Sequence, residues 1–285
     1  LEAYKDANYL KGGLVYADWI TTVSPTYSEE IKMPFYGEGL NGLLCARAGQ
    51  LSGILNGIDY EEYNPETDSN LAYKYNAINF RKLKVKNKLA LQAELGLEQN
   101  EKKFMIGLVS RLTDQKGLDL VAYMMDQICT EDTQLVVLGT GDSKYENMFR
   151  HFAWKYPERV SANIFYSDER SHKIYGSCDA FLMPSLFEPC GLSQLMSLRY
   201  GTVPIVRETG GLKDTVQPYN EFESTGTGFS FANYNAHEMM DTINYAKHIY
   251  YDKKREWNKI IDRAMAADFS WNMSARRYED LYRML

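Results

Sequence analysis

The sequence predicts an α/β fold built on a Rossmann-like parallel sheet with helices on both faces, and three observations support this. From Phe104 onward, short apolar runs alternate with segments of helical periodicity. The apolar runs are continuous, as burial on both faces of a sheet requires. Three of the runs lead into loops that contain glycine and precede a helix. Regular alternation of this kind produces parallel strands joined by helical crossovers.

The predicted elements follow one another without long gaps. The predicted strands span residues 104–109, 134–138, 160–166, 180–183 and 202–206. The predicted helices between them lie near 117–129, 143–155, 169–177 and 191–199. The chain is then predicted to be helical over 236–249, 254–267 and 273–285. Ahead of this series, residues 1–19 carry a helix-like pattern and residues 20–23 a short strand.

Length and composition indicate a globular protein. The chain has 285 residues, of which 45% are hydrophobic, enough for one large domain or two smaller ones. Its net charge is -6 and its cations are dispersed, so no basic stripe indicates a nucleic-acid partner. No signal peptide and no apolar run long enough to cross a bilayer is present, so we expect no membrane partner and a cytoplasmic location.

Three smaller patterns point to ordinary structural roles. The local basic cluster is interpreted as the solvated face of a helix; it consists of Arg81, Lys82, Lys84, Lys86 and Lys88. The four cysteines show no paired C-x-x-C spacing, which favours reduced thiols. The four histidines are too scattered to suggest a metal site, and no Asp-x-Asp occurs. We therefore expect neither a metal nor a cofactor.

Polar groups and glycines follow three of the predicted strands. Arg111 and Lys116 lie in the loop after the strand 104–109, and Glu188 precedes Pro-Cys-Gly after the strand 180–183. The pair Gly210-Gly211 follows the strand 202–206. Open α/β sheets bind ligands at the carboxyl ends of their strands. Taken singly, these features could also be surface cations, a helix-capping loop and a tight turn.

In this order and spacing, the three loops resemble the bacterial glycogen synthase and plant starch synthase family, glycosyltransferase family 5. Its members are ADP-glucose-dependent retaining glucosyltransferases of the GT-B fold. The resemblance extends almost end to end and includes the segments 21–27, 51–63 and 268–271. A neighbouring family of GT-B transferases has a second glutamate eight positions after the first, where this chain has Met196. That difference favours the synthase pattern.

The resemblance implies a division of the chain. Residues 1–50 would be a remnant of the N-terminal GT-B lobe with its connection, and the rest of that lobe would be missing. Residues 51–267 would form the C-terminal lobe that binds the nucleotide sugar. Residues 268–285 would form a helix that packs back on the N-terminal lobe.

The resemblance also implies roles for particular residues. Arg111 and Lys116 would neutralise the departing diphosphate, as cations must in the absence of a metal. Glu188 would hydrogen-bond the donor glucose and favour the positive charge that develops at its anomeric carbon. The implied substrate-binding residues are Tyr166, Cys190, Gly191, Leu192, Ser193, Gly210 and Gly211.

Several of these substrate-binding roles have alternatives. Tyr166 would end a strand and stack on adenine, although a strand-end tyrosine is also an ordinary feature. Backbone amides after Gly191, together with the Ser193 hydroxyl, would receive the distal phosphate at a helix start. The Gly210-Gly211 pair would approach the diphosphate or the sugar, or only permit a turn. Cys190 is interpreted as a small residue that shapes the site and not as a nucleophile.

The implied reaction transfers glucose from ADP-glucose to the non-reducing end of an α-1,4-glucan such as glycogen, with retention and without a metal. We expect this chain alone to bind nucleotide but not to elongate glucan, since it would supply one wall of an interlobe cleft. Two alternatives stay open. One is a GT-B glucosyltransferase that uses UDP-glucose, and the other is a non-catalytic glucan-binding module that retains the fold.

Overall fold

The computed structural model describes residues 2–3 and 6–285. Its strands are β1 Glu2–Ala3, β2 Asp6–Ala7, β3 Ile20–Thr22, β4 Leu51–Gly53, β5 Phe104–Val109, β6 Thr133–Leu138, β7 Val160–Asn163, β8 Ala180–Met183, β9 Val203–Arg207 and β10 Phe229–Phe231. Its helices are α1 Tyr9–Tyr16, α2 Pro25–Glu30, α3 Pro34–Gly37, α4 Asn41–Ala46, α5 Phe80–Leu95, α6 Leu118–Ile128, α7 Ser143–Lys155, α8 Asp168–Ser177, α9 Ser193–Arg199, α10 Gly210–Thr215, α11 Ala236–Asp252, α12 Lys254–Ala266 and α13 Trp271–Met284. Two 3-10 turns span Ala48–Gln50 and Asp114–Lys116.

Six strands form one parallel sheet in the order β10-β9-β8-β5-β6-β7. The predicted parallel α/β fold is thereby confirmed. From β5 the chain first adds β6 and β7 on one side, and it then returns to place β8 on the other side. The carboxyl ends of β5 and β8 therefore meet at a topological switch point, where open α/β sheets form a ligand-binding crevice.

The core lies between the sheet and its helices. All six residues of β6 and all four of β8 are buried, which explains why these strands have continuous apolar sequences. Helix α5 packs on α8, α11 on α6, and α12 on α9. Trp257 of α12 is 1% exposed and its ring lies 5.8 Å from that of Phe104. Burial of these large aromatic side chains fixes the helices against the sheet.

The third predicted strand is shorter than expected. Strand β7 ends at Asn163, so the prediction that it continues to Tyr166 is wrong. Its neighbour β6 ends at Leu138, which pairs with Asn163 in the register of the two strands. Beyond that pair, no partner strand remains to hold the chain extended. Tyr166 instead lies in the loop between β7 and α8, with 89% of its surface exposed.

The basic cluster on α5 is only partly solvated. Arg81, Lys82 and Lys86 are exposed, as predicted. The prediction is wrong for Lys84 and Lys88, which are 8% and 2% exposed. These two residues are four apart and therefore share the helix face that packs toward α8 and the sheet. Their ammonium groups end among oxygen acceptors, which is what permits their burial.

The segments that flank the sheet contact each other. Strand β3 pairs with β4 in parallel, and Ile58 forms an isolated parallel bridge with Ser270. Ser274 of α13 donates a hydrogen bond to the carbonyl of Leu55 at 2.5 Å. The division into residues 1–50, 51–267 and 268–285 stays a prediction. Among the residues that the structure describes, no helix is both long enough and apolar enough to span a membrane.

Candidate active site

Two loops meet at the switch point of the sheet, one following β5 and the other following β8. The amide of Leu186 donates to the carbonyl of Gln115 at 2.9 Å, and the Gln115 side chain donates to the carbonyl of Phe187 at 3.3 Å. Gly117 has a φ of 74°, and a Cβ there would lie 1.9 Å from the carbonyl oxygen of Pro184. Glycine is therefore required where the two loops cross.

The two loops bring Lys116 and Glu188 into direct contact. Lys116 Nζ lies 2.8 Å from Glu188 Oε2, with side-chain exposures of 16% and 7%. The Ser185 hydroxyl donates to the same carboxylate oxygen at 3.1 Å. Among the described residues, Lys116 Nζ has no other partner and Glu188 Oε1 has none. A partly buried cation and carboxylate thus keep hydrogen-bonding capacity for a ligand.

Arg111 shares a loop with Lys116 but does not join this pair. It is exposed, and its guanidinium forms neither a hydrogen bond nor an ion pair with the residues that the structure describes. The position at the end of β5 leaves it on the same rim of the sheet as Lys116. The structure therefore brings together Lys116 and Glu188, and leaves Arg111 free to contact a ligand at that rim.

The predicted glycine pair contacts the Glu188 segment through its backbone. Gly210 has a φ of 44°, and a Cβ there would lie 1.9 Å from the carbonyl oxygen of Glu188. The amide of Gly211 donates to that carbonyl at 3.1 Å, and its own Cβ would lie 2.0 Å from the carbonyl oxygen of Cys190. Both glycines are thus required for close backbone approach, and they contact the chain from Glu188 to Cys190.

Helix α9 begins beside this turn. It was predicted from residue 191 and begins at Ser193, with Leu192 as its 43% exposed N-cap residue. Gly191 has a φ of 76°, and the Gln194 side chain donates to its carbonyl at 3.0 Å. Ser193 accepts a hydrogen bond from Tyr175 at 3.3 Å. The amides at the start of α9 therefore lie next to the turn that carries Glu188.

Cys190 has the features of a space-filling residue. It is 3% exposed, and burial raises the pKa of its thiol to about 11. A thiol with such a pKa is almost wholly protonated at neutral pH and is a poor nucleophile. Its role in shaping the site stays a prediction. Tyr166, by contrast, forms no hydrogen bond or aromatic ring contact with the other predicted site residues in the described part of the chain, and its stacking role stays a prediction.

Sequence reasoning missed Glu30, which supports the glycine turn from the amino-terminal segment. Glu30 is 8% exposed; one carboxylate oxygen accepts from the Thr209 hydroxyl at 2.8 Å, and the other from the Gly210 amide at 2.6 Å. Asp214 makes the reverse contact, accepting from the amide of Thr26 at 3.0 Å. Each carboxylate thus caps the start of the other segment's helix. No local signal could have revealed contacts across about 180 residues of sequence.

Arg207 is a second residue that the motifs did not indicate. It ends β9, is 9% exposed, and donates through Nη1 to the carbonyl of Leu186 at 3.2 Å. Its Nε is buried and has no hydrogen-bond partner in the described part of the chain. A cation at the carboxyl end of a strand was the signal that could have identified it. It adds a third cation beside the loop that carries Glu188.

The fold and this geometry define an α/β lobe with a cation–carboxylate pair at the switch point of its sheet, the place where open α/β sheets bind ligands. Residues 95–263 match the family model described as glycosyl transferases group 1, and residues 1–46 match the starch synthase catalytic domain. Since the first match covers more than half of the chain, the protein belongs to the group 1 glycosyl transferases. The resemblance that the motifs indicated is thereby confirmed.

Individual relatives agree with this assignment. The chain is 74% identical to a glycogen synthase of Lachnospira eligens over all 285 residues, which are 60% of that relative's length. It is 53% identical to a glycogen synthase of Clostridium acetobutylicum, covering 99% of this chain and 59% of the relative. The catalytic domain of starch synthase IV from Arabidopsis thaliana, solved with ADP and acarbose, matches with a TM-score of 0.91 and 33% identity. That match covers 98% of this chain and 58% of the plant chain.

Proposed function

We propose that this chain forms the nucleotide-sugar-binding lobe of a retaining glucosyltransferase. The reaction would transfer glucose from ADP-glucose to the 4-hydroxyl at the non-reducing end of an α-1,4-glucan such as glycogen. The observation that carries this proposal is the contact between Lys116 and Glu188 at the switch point of the sheet. The names of the glycogen synthase relatives and the ADP bound to the plant enzyme support the donor and the acceptor.

Lys116 and Arg111 would neutralise the diphosphate as the bond to the anomeric carbon breaks. Lys116 has an ammonium with three protons, and its one partner among the described residues is Glu188. Arg111 offers a planar fork of donors that matches phosphate oxygens. Preorganised cations of this kind stabilise charge that grows in the transition state, and removal of one such donor typically lowers turnover about 100- to 1,000-fold.

Glu188 would act on the sugar. Its Oε2 is occupied by Lys116 and Ser185, so Oε1 is the oxygen that would accept a hydrogen bond from a glucose hydroxyl. The negative charge would favour the oxocarbenium-like centre at the anomeric carbon. The backbone of Glu188 is fixed by the amide of Gly211, so the carboxylate is held in position before the substrate arrives.

The remaining predicted residues would complete the donor site. The amides from Gly191 to Ser193 and the Ser193 hydroxyl would bind the distal phosphate, as amides at helix starts do. The Gly210-Gly211 turn would admit the donor close to the backbone. Tyr166 would stack on the adenine, and Cys190 would shape the wall near the sugar. A cytoplasmic location agrees with four cysteines that are all free thiols, three of them buried.

Calorimetric titration with ADP and with UDP tests this proposal. We expect weak binding of ADP, weaker binding of UDP, and loss of most ADP affinity in Arg111→Ala. The matched control is Arg255→Ala on α12, which removes another exposed arginine from a distant helix. Tighter binding of UDP than of ADP would favour a UDP-glucose-dependent transferase. If the chain binds no nucleotide, and if it binds glucan equally well with and without Arg111→Ala, a glucan-binding module would be favoured.

A second assay tests the proposed need for another lobe. We expect this chain alone to bind nucleotide without incorporating labelled glucose from ADP-glucose into glycogen, because the chain supplies one wall of the cleft in this proposal. It spans about 60% of the length of the glycogen synthases that it matches. Incorporation by this chain alone would contradict the proposed division of the site between two lobes.

A further inference from the structure

Three potential metal ligands converge at the first turn of α8, in a place where no motif suggested a site. Glu62, Asp168 and His172 each offer one donor atom, and these atoms all lie within 4.8 Å of one another. Glu62 and Asp168 are exposed, and two exposed carboxylates alone would be an ordinary feature of a protein surface. The buried imidazole between them distinguishes this cluster from such a surface.

The protonation of His172 follows from its contacts. Its side chain is 3% exposed, and Nδ1 lies 2.7 Å from Asp68 Oδ2. The same carboxylate oxygen accepts a hydrogen bond from the hydroxyl of Tyr200. An ionised carboxylate can only accept, so Nδ1 must carry the proton. Nε2 of a neutral His172 is then an unprotonated lone-pair donor.

Nε2 of His172 has no hydrogen-bond partner among the residues that the structure describes. It is buried, and no donor among the described residues reaches it. The Asp168 Oδ2 atom lies 3.7 Å away, beyond hydrogen-bond distance. Buried polar atoms without a partner are uncommon and require an explanation, and a ligating role toward an ion would supply one here. Two ligand atoms on a tetrahedral zinc ion lie about 3.3 Å apart. A small movement of the exposed Asp168 side chain would bring its Oδ2 atom to that distance from Nε2 of His172.

The surroundings of His172 resemble the support that a metal-bound histidine needs. A ligating imidazole usually donates its other ring nitrogen to a carboxylate, which fixes the ring and makes the ligating nitrogen more basic. Asp68 takes that position, and Asp68 is itself held by Tyr200. Tyr63 stacks on the imidazole with a centroid distance of 4.8 Å and an interplanar angle of 12°. The ring is therefore held with Nε2 directed toward Asp168.

We propose that Glu62, Asp168 and His172 bind one divalent transition-metal ion of the zinc type. Imidazole nitrogen with carboxylate oxygen suits zinc or cobalt, whereas magnesium and calcium prefer oxygen alone. Three protein ligands leave a fourth position for water. The ion would connect the segment after β4 to the start of α8, and Asp168 is two residues from Tyr166. It would therefore fix one side of the loop that carries Tyr166.

Direct titration with Zn²⁺ and Co²⁺ tests the proposal. The Cys45→Ser chain is used, because Cys45 is an exposed thiol that could bind these ions on its own. We expect one ion per chain, a visible absorption band from bound Co²⁺, and a higher melting temperature. Loss of a residue that hydrogen-bonds a metal ligand typically weakens metal affinity about 10- to 100-fold. Loss of a ligand itself, in Glu62→Gln or Asp168→Asn, should therefore weaken metal affinity by at least about 100-fold.

The matched control is Asp252→Asn. Asp252 lies 2.8 Å from Nδ1 of His248 at the same four-residue spacing as Asp168 and His172, but both members of this pair are exposed, and no third ligand lies near them in the described part of the chain. Metal affinity should be unchanged in this variant. Both test positions are exposed carboxylates, so their substitution should leave folding intact.

Three outcomes would overturn the proposal: no binding at one equivalent, binding that survives both Glu62→Gln and Asp168→Asn, or Mg²⁺ binding as tight as that of Zn²⁺. In each case Nε2 of His172 would be occupied by a proton that pairs with Asp168. The readout is metal binding, so either result leaves the proposed glucosyl transfer to be judged by its own assays.

Discussion

The two ends of strand β8 carry the same kind of ion pair in different surroundings. At the carboxyl end, Lys116 contacts Glu188 at 2.8 Å. At the amino end, Lys88 contacts Asp179 at 2.6 Å, with side-chain exposures of 2% and 15%. A cavity of about 440 Å³ opens beside the second pair and is lined in part by Lys84 and Lys254. Charge and cavity size alone would therefore place a ligand at the amino end.

The hydrogen-bond partners reverse that conclusion. Lys88 Nζ also donates to the carbonyls of Glu101 and Lys103 at 2.9 and 2.7 Å and lies 3.0 Å from the Tyr250 hydroxyl. An ammonium has three protons, so Lys88 has none left for a ligand. Lys116 has a single partner in the described part of the chain. The two ion pairs differ in how many ammonium protons are already used, and not in their charge. The Lys88 pair has none left and stabilises the fold, whereas the Lys116 pair is available for binding.

The largest expected effect is on stability, in Lys88→Met. The substitution leaves the mostly buried Asp179 without its cation, and removal of one partner of a buried pair typically costs about 3–5 kcal/mol of unfolding free energy, which is the upper bound here. ADP affinity of the folded protein should not change, because Lys88 lies at the other end of the sheet. Chemical denaturation and calorimetry measure the two quantities. A loss of ADP affinity without a loss of stability would reverse the roles assigned to the two pairs.

Lys116→Met should show the opposite pattern. Hydrogen bonds to charged groups contribute about 1.5–3 kcal/mol, so we expect ADP affinity to fall roughly 10- to 100-fold. The cost in stability should be smaller than in Lys88→Met, since Glu188 keeps the Ser185 hydroxyl as a partner. Calorimetric titration of ADP into both variants gives the comparison. Equal ADP affinity in Lys116→Met and the unsubstituted chain would remove Lys116 from the proposed site.

Sequence patterns predicted the sheet well because each strand is buried on both faces and therefore has an apolar sequence. They also placed Lys116 and Glu188 in loops that follow strands at one edge of a parallel sheet, but they did not predict the direct contact between the two side chains. The burial of Lys84 and Lys88 could not be predicted, since a lysine on an amphipathic helix is normally solvated. Only their carbonyl and carboxylate partners, contributed by distant segments, make that burial possible.

The same limit applies to Glu30 and His172. Glu30 reaches the Gly210 amide across 180 positions, and His172 meets Asp68 across 104. Neither residue has a neighbour in sequence that indicates its partner. The end of β7 was missed for a related reason, because the residues after Asn163 are apolar enough to continue a strand. The length of the neighbouring strand β6, and not the local sequence, determines where β7 ends.

The smallest expected effect is a pH dependence that separates Lys84 from Lys88. Lys84 Nζ bonds neutral acceptors, the carbonyl of Cys178 at 2.6 Å and the Thr202 hydroxyl at 2.7 Å. Burial lowers the pKa of Lys84 to about 8, although the charge of Asp179 opposes this shift. In the unfolded chain the pKa of a lysine is about 10.4, so between the two values the unfolded state binds more protons. The contribution of Lys84 to stability must then rise with pH through this window, by up to about 1.4 kcal/mol per unit.

Denaturation at pH 8, 9 and 9.5 of the unsubstituted chain and of Lys84→Met isolates this contribution, because the buried thiols, whose raised pKa values give the opposite slope, contribute equally to both proteins. The slope should be smaller in Lys84→Met, which has no titrating group at this position, and should persist in Lys88→Met. A slope that is the same in the unsubstituted chain and in Lys84→Met would show that Lys84 keeps an ordinary pKa. In that case the carboxylate of Asp179 would stabilise the ammonium groups of both Lys84 and Lys88. The amino end of β8 would then contain one network of three charged groups, and not a separate Lys88–Asp179 pair.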